Sequence, residues 1–385
     1  MILSPIQQQY GTRPLVESTI NEAKARIEHP EDLIFTAGAA GAKSAVNSLL
    51  AAATTPKYTT IKLDGSPAAI AGYWDGKFVL TDKSGFAKYN AGGLPTSAEQ
   101  VQAMIFNRRP DDAGRKEYSA QFAKLFTMVQ RLLPANFKGF IQFDVMWFDR
   151  PILKNHKYEF QPNKVLYSVP EKSELGQQIA TSQVGIAIHS YFKSPAVNEP
   201  TAINDPRQLK LRPSPGLVVL GTKMPIEKTV PAATKPCLQL IQNIDQQSAV
   251  IDGFLSTTAL KLNKISNLGD LMKSYLAALA RQGKPINAQI AANFLKHVQT
   301  VTTDQKYAAI YKYIKDNYAA YQLVWKIAAM TALIKTSIKK QLDKAVGTQM
   351  QATIMGSSGH EGFVSDTPSG RIKLVDRPVF MRQTQ

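Results

Sequence analysis

The stretch Lys62-Leu63-Asp64-Gly65-Ser66-Pro67 decides how this chain is read. It follows Tyr58, Thr59, Thr60 and Ile61, an aromatic and β-branched run of strand composition. Lys62 therefore leaves ordered backbone into an Asp-Gly turn, where its amine can be aimed. An amine attacks only when neutral, a state that nearby cations such as Lys83 and Lys373, or a bound metal, would favour. Gly65 has no side chain to keep a phosphate away from the backbone. A lysine nucleophile working on a phosphate is the chemistry this stretch can support.

Outward from it, residues 58–195 read as strands. Ala68–Trp74 and residues 77–81 flank Asp75-Gly76, a strong hairpin turn signal. Residues 140–148, 164–169 and 184–192 are further strand candidates, with a helical stretch at 98–133 between them. In residues 140–145, strand alternation puts Gln142 and Asp144 on one face and Ile141, Phe143 and Val145 on the other. Residues 1–57 read as mainly helical, with one helix at 39–53. Residues 196–235 are rich in Pro, Lys and Thr and read as loops. From 248 to 345 the pattern is helical, and Leu323, Ile327, Met330, Ile334 and Ile338 form one stripe. The expected layout is an N-terminal helical region (1–57), a strand-rich core (58–195), a linker and helical insertion (196–350), and a return to the core (351–385).

Composition narrows the partners. The 385 residues include 46 Lys and Arg against 29 Asp and Glu, a net charge of +17. That excess favours polyanions, nucleic acid first. Residues 257–345 hold 14 Lys or Arg and 4 Asp, a net of +10, so the helical part carries more than half of it. Lys312, Lys315, Lys335, Lys339, Lys340 and Lys344, with Tyr311, Tyr313 and Tyr318, could grip a phosphate backbone and stack on bases. No apolar run approaches the ~18 residues of a membrane span. The first residues lack the pattern of a signal peptide. Cys237 is the single cysteine, so no internal disulfide is expected, and a reducing cytoplasm fits (a host's, for a phage-encoded protein).

These motifs, in this order, resemble the covalent nucleotidyltransferases, the superfamily of ATP-dependent DNA and RNA ligases and mRNA-capping enzymes. Lys62-Leu63-Asp64-Gly65 matches the family's K-x-D-G motif, with Lys62 at the position that becomes bonded to AMP or GMP. Lys83 stands where a basic residue lies near the nucleotide. Asp144, on a strand similar to the family's acidic one, would bind the ribose; Tyr167 would stack on the base. Glu361-Gly362-Phe363-Val364 matches the E-G-hydrophobic motif, which gives Glu361 a part in metal chemistry. Arg371-Ile372-Lys373 matches the final strand, where Lys373 would neutralise the α-phosphate and Arg371 would assist. Asp64 and Gly65 complete the nucleotide contacts. The resemblance implies an α+β fold of mainly antiparallel sheets around a nucleotide cleft, with a basic all-α insertion. It also implies ATP and Mg²⁺ as cofactors, and RNA or DNA with 5′-phosphate ends as substrate. Pro67, where many members have Arg, and Asp366, where many have Lys, depart from the pattern. Only 12 residues follow Lys373, too few for a C-terminal OB domain, and this favours the style of phage RNA ligases.

Two other readings compete. One is a catalytically degenerate ligase fold that binds nucleic acid or associates with a virion; the other is a guanylyltransferase. Gly38-Ala39-Ala40-Gly41-Ala42-Lys43-Ser44 looks like a phosphate loop, but Ala37 and Ala42 occupy both required glycines, and a helix start is the better reading. His29, His156, His189 and His297 lack metal-ligand spacing and read as structural, while His360 adjoins Glu361, where it could touch substrate.

Overall fold

The computed structural model describes residues 27–55, 59–89, 93–196, 201–203, 206–221, 230–287, 289–346, 350–354 and 356–381. The expected helical character of residues 1–26, and Tyr58 as a strand residue, lie outside them. The fold is α+β, with antiparallel and mixed sheets. The chain divides into two compact units, one holding Ile61–Lys223 and Val346–His360, the other Ile27–Thr60, Met224–Ala345 and Glu361–Gln385. This division differs from the expected layout. Residues 351–360 do join the strand-rich part, but the hairpin carrying the last two motifs groups with the helices. Helix α1 (Leu33–Thr54) lies in the helical unit, and strand β1 (Thr59–Lys62) carries the chain from that unit into the strand-rich one.

The strand-rich unit has two sheets. The larger contains β2 (Ala68–Trp74), β3 (Lys77–Asp82), β4 (Gly139–Trp147), β8 (Val184–Phe192) and β10 (Leu217–Leu220) in the order β10-β8-β4-β2-β3, with β9 (Thr201–Ala202) beside β8. All pairs are antiparallel except β10 with β8. The β2–β3 turn is the expected one: Asp75 and Gly76 both take positive φ, as a two-residue hairpin demands. Ala69, Ala71, Leu80, Ile141, Phe143, Val145, Ile186 and Ile188 form a wholly apolar face. It packs on helices α3 (Ala98–Phe106) and α4 (Arg115–Leu132) through Val101, Ile105, Phe122 and Val129. Short α2 (Lys83–Ala87) places Phe86 on the opposite face, against Phe140 and Phe192. The alternation expected in β4 therefore holds, with Gln142 and Asp144 turned away from the helices.

The smaller sheet contains β5 (Ile152–Lys154), β6 (Lys157–Phe160), β7 (Val165–Pro170), β11 (Gln351–Ile354) and β12 (Ser357–Ser358), ordered β12-β11-β7-β6-β5. Helix α5 (Glu174–Ala180), capped by Ser173, links β7 to β8.

In the second unit, α6 (Thr234–Gln246), α7 (Ser248–Leu255), α8 (Thr257–Leu262), α9 (Leu268–Arg281), α10 (Ala291–Val301), α11 (Asp304–Asp316) and α12 (Tyr318–Val346) pack with α1. Their core is aromatic: Trp325 lies within ring contact of Phe35, Tyr275, Phe294 and Tyr321. Of the expected stripe on α12, Ile327, Ile334 and Ile338 are buried, while Leu323 and Met330 are only partly covered. β13 (Gly362–Thr367) and β14 (Gly370–Val375) form an antiparallel hairpin ahead of α13 (Arg377–Met381). β1 is its third strand, with the Thr59 hydroxyl bonded to Ser365 Oγ and that of Thr60 to the Val364 carbonyl. Among the described residues, no helix is long and apolar enough to cross a membrane.

A candidate nucleotide site on a strand bulge

The loop from Leu63 to Pro67 lies along β4. The Ser66 N–H donates to the Val145 carbonyl at 3.0 Å, and the Val145 N–H donates back to the Pro67 carbonyl at 2.9 Å. Gly65 is packed so closely that a Cβ there would stand 2.5 Å from Asp144 Cβ and 2.9 Å from Met146 Sδ. Glycine is needed here for backbone approach to another strand, not for an unusual φ. On the other side, the Asp64 N–H donates to the Tyr167 hydroxyl at 2.6 Å. The Asp64 carboxylate accepts from Asn163 Nδ2 and from the Lys164 N–H, both at 2.9 Å. Both sheets of the unit thus grip the loop, and Lys62 at its head rests on a fixed frame. Burial pushes the pKa of Asp64 above the usual carboxylate value, against the opposing charge of Lys62 and its two hydrogen bonds; Asp144 adds to the rise.

Asp144 sits between two irregularities of the β4–β8 ladder. Gln142 pairs with Ser190 but Phe143 pairs with Ile188, so His189 is an extra residue in β8. Val145 pairs with Ile186 and Trp147 with Gly185, which makes Met146 the extra residue in β4. Such bulges bend a strand and re-aim side chains. At the first of them His189 Nε2 lies 3.4 Å from Asp144 Oδ1, and its Nδ1 lies 2.9 Å from Ser190 Oγ. Reading the sequence as a regular strand missed this residue, although the signal is present. Apolar positions facing the helices run Val184, Ile186, Ile188 and then Tyr191, an interval of three where a regular strand has two. Along β4 and just past its end they run Ile141, Phe143, Val145 and then Phe148.

The remaining expected residues divide between the units. Lys83 is exposed and opens α2 at the end of β3. Register places Asp82 opposite Ala69 and Asp144 opposite Ala68, so β3 finishes at the edge of the sheet where the Lys62 loop enters. Asp82 caps the Gly85 N–H at 2.8 Å and takes a two-pronged bond from Arg108. Burial raises the pKa of Asp82, but the bonds from Arg108, Gly85 and Ser84 outweigh it and hold the carboxyl below its ordinary value. Tyr167 departs from expectation. Its ring is wholly buried, lies flat on Phe160 at 5.3 Å, and its hydroxyl holds the Asp64 N–H, so neither face is open to a base. The aromatic residue of β7 anchors the loop instead.

In the second unit, Glu361 is buried immediately before β13. Alternation turns Phe363, Ser365, Ile372 and Leu374 inward, and puts Arg371 and Lys373 together on the other face of the hairpin. The Lys373 N–H donates to the Glu28 carbonyl at 3.2 Å. Arg371 stands directly opposite Asp366 in the ladder; burial lowers its pKa and Asp366 opposes that fall. The departure at position 366 therefore supplies the counter-charge of Arg371. Among the described residues, no group of three or more His, Cys, Asp or Glu side chains is placed to hold a metal. Glu361 would act as a single protein carboxylate, the kind of site in which phosphates and water supply most of the ligands to Mg²⁺.

The expected polyanion grip on the helices is corrected in part. Lys335 is 3% exposed and pairs with Glu31 at 2.6 Å, and Lys339 pairs with Asp343 at 2.7 Å. Tyr313 is buried, with its hydroxyl on the Phe254 carbonyl. Lysines expected to grip a phosphate backbone are, at these two positions, internal counter-ions. Lys315, Lys340 and Lys344 are exposed, as are Tyr311 and Tyr318, and exposed Lys312 pairs with Asp316. The phosphate-loop look of residues 38–44 also resolves. Gly38 kinks α1 with φ +58°, and the Asp252 carboxylate takes the Ala39 N–H at 2.8 Å, so the segment is a helix start capped from within the unit.

The model of a family of unknown function (DUF6267) matches residues 24–384. No curated protein and no solved structure matches the chain.

Proposed function

The chain belongs to the DUF6267 family, and we propose that it is an ATP-dependent polynucleotide ligase, of the phage RNA-ligase style, that works through a lysyl-AMP on Lys62. One observation carries this reading: the Lys62 loop is fixed by hydrogen bonds to both sheets, with Gly65 pressed against Asp144. A nucleophile gains from such mounting because the geometry for attack is set before substrate arrives.

In the proposed first step, Lys62 Nζ bonds to the α-phosphorus of ATP as the bond to the β-phosphate oxygen breaks and pyrophosphate leaves. The amine gives up its proton as the phosphoramidate forms. Lys83 offsets phosphate charge, and Asp144 accepts from a ribose hydroxyl. Glu361 would hold Mg²⁺, which when bound would supply charge neutralisation for the leaving group, and Arg371 and Lys373 would meet phosphate, as their motifs imply. AMP then passes to a 5′-phosphate end, which frees Lys62, and a 3′-hydroxyl displaces AMP to seal the strand. The nucleotidyltransferase fold is part of this proposal.

Incubation with α-labelled ATP or GTP and Mg²⁺, followed by denaturing electrophoresis, tests it. Label from ATP that is lost on addition of 5′-phosphorylated RNA supports the reading; label from GTP alone supports a guanylyltransferase. The degenerate, nucleic-acid-binding alternative draws on the closed faces of Tyr167. It predicts no label from either nucleotide, with salt-sensitive RNA binding retained.

A further inference from the structure

The bulge in β8 exists at one residue, and that residue points its ring at the one carboxylate of β4. Ile188 and Ser190 take the paired positions on either side of His189, which is the unpaired residue of the bulge. The bulge is held from outside as well: the Ile203 N–H donates to the His189 carbonyl at 3.0 Å, and Ser190 pairs with Ala202 of β9. Ser190 is buried, and its hydroxyl meets His189 Nδ1 at 2.9 Å.

We propose that His189 is a positioning residue that fixes the Asp144 carboxylate for a ribose hydroxyl, with Ser190 holding the far side of the ring. This rests on the ligase reading, in which Asp144 meets the ribose. A carboxylate can only accept, so the nitrogen facing it must carry the proton. With the ring proton on Nε2, the atom 3.4 Å from Asp144 Oδ1, Nδ1 is left to accept from the Ser190 hydroxyl at 2.9 Å. One Asp144 oxygen is then engaged by the ring, and the other is left in a defined direction for a diol. Gly65, packed on Asp144 Cβ, limits the rotamers from the other side. Orientation by a neighbour of this kind commonly matters by roughly tenfold or more.

Two measurements test the proposal. Long-range ¹H–¹⁵N spectra of histidine-labelled protein are expected to show His189 protonated at Nε2, and Asp144→Ala is expected to mix the tautomers. Protonation at Nδ1 alone, or spectra unchanged by Asp144→Ala, overturns the assignment without reference to any nucleotide. Equilibrium binding of ATP and 2′-deoxy-ATP is then compared in Lys62→Ala protein, where no adduct can form. His189→Ala is expected to weaken ATP roughly tenfold and 2′-deoxy-ATP much less, with His189→Gln recovering most of the loss. Equal losses for the two nucleotides, or none, overturn the positioning role. If the Lys62→Ala parent binds neither, the ligase reading fails and the ribose role with it, while the spectra still decide how the ring and Asp144 are paired.

Discussion

At Gly65 the distance from a would-be Cβ to Asp144 Cβ is 2.5 Å, a gap that no side chain can enter unless two backbones part. Gly65→Ala is therefore expected to cost about 1–3 kcal/mol of stability, as overpacking in a fixed site does, and urea unfolding would measure it. Tyr167 makes a complementary case. Its hydroxyl is the acceptor that the Asp64 N–H has in the buried loop, so Tyr167→Phe leaves that donor without its partner. The expected loss is about 1–3 kcal/mol, with lysyl-AMP formation slowed as the loop relaxes, while the core packing of the ring on Phe160 is retained. A Tyr167→Phe protein as stable and as active as the parent would show that the hydroxyl does nothing for the loop.

Elements were legible in the sequence where a local rule was strong enough to act alone. The β2–β3 hairpin was readable because Asp75-Gly76 can take two successive positive φ values. The start of the main part of α1 was readable because Gly38 breaks the helical pattern ahead of an Ala-rich run. The β5–β6 hairpin was not, since its Asn155-His156 turn lacks glycine although both residues take positive φ. β11 was hidden for another reason: it pairs with β7, nearly two hundred residues away, a partnership no local pattern states. The same applies to Lys335, whose burial depends on Glu31 far upstream. In the candidate site, Lys62, Asp64, Gly65 and Asp144 stood out by motif and alternation, whereas His189 belonged to no motif and its contact with Asp144 depends on how β4 and β8 pair. The cap of α1 shows a long-range device of this class that can be tested. Asp252 serves as N-cap from another helix, and Asp252→Ala is expected to lower stability by about 1 kcal/mol, read from the thermal midpoint. An unchanged midpoint would mean that solvent caps Ala39 equally well.

On the scale of the molecule, the helical unit contains a buried knot of charge. Glu31 is flanked by Lys335 at 2.6 Å and Arg377 at 3.5 Å, and Asp32 takes Arg377 at 2.7 Å. Burial pushes Asp32 up to about 6, against the pull of Arg377 and helped by Glu31. Burial pushes Glu31 up too, but Lys335 and Arg377 outweigh it and hold that carboxyl below its ordinary value. The folded state thus binds the Asp32 proton more tightly than the unfolded chain. Its contribution is present at low pH and is lost as pH rises from about 4 to about 6, by roughly 1 kcal/mol per pH unit across that window. Glu31 acts in the opposite sense, and its contribution is lost as pH falls below 4.5. Asp32→Asn is expected to flatten the slope between pH 4 and 6 in denaturant titrations; an unchanged slope would assign it to other groups. The strand-rich unit, with the Lys62 loop held between two sheets, carries the functional claim. Intact-mass measurement after incubation with ATP and Mg²⁺, with tandem sequencing of the modified peptide, tests that claim most directly. A single AMP adduct on Lys62, absent from Lys62→Ala, is the predicted result. Wild-type protein of unchanged mass, or an adduct of equal yield in the variant, would contradict it.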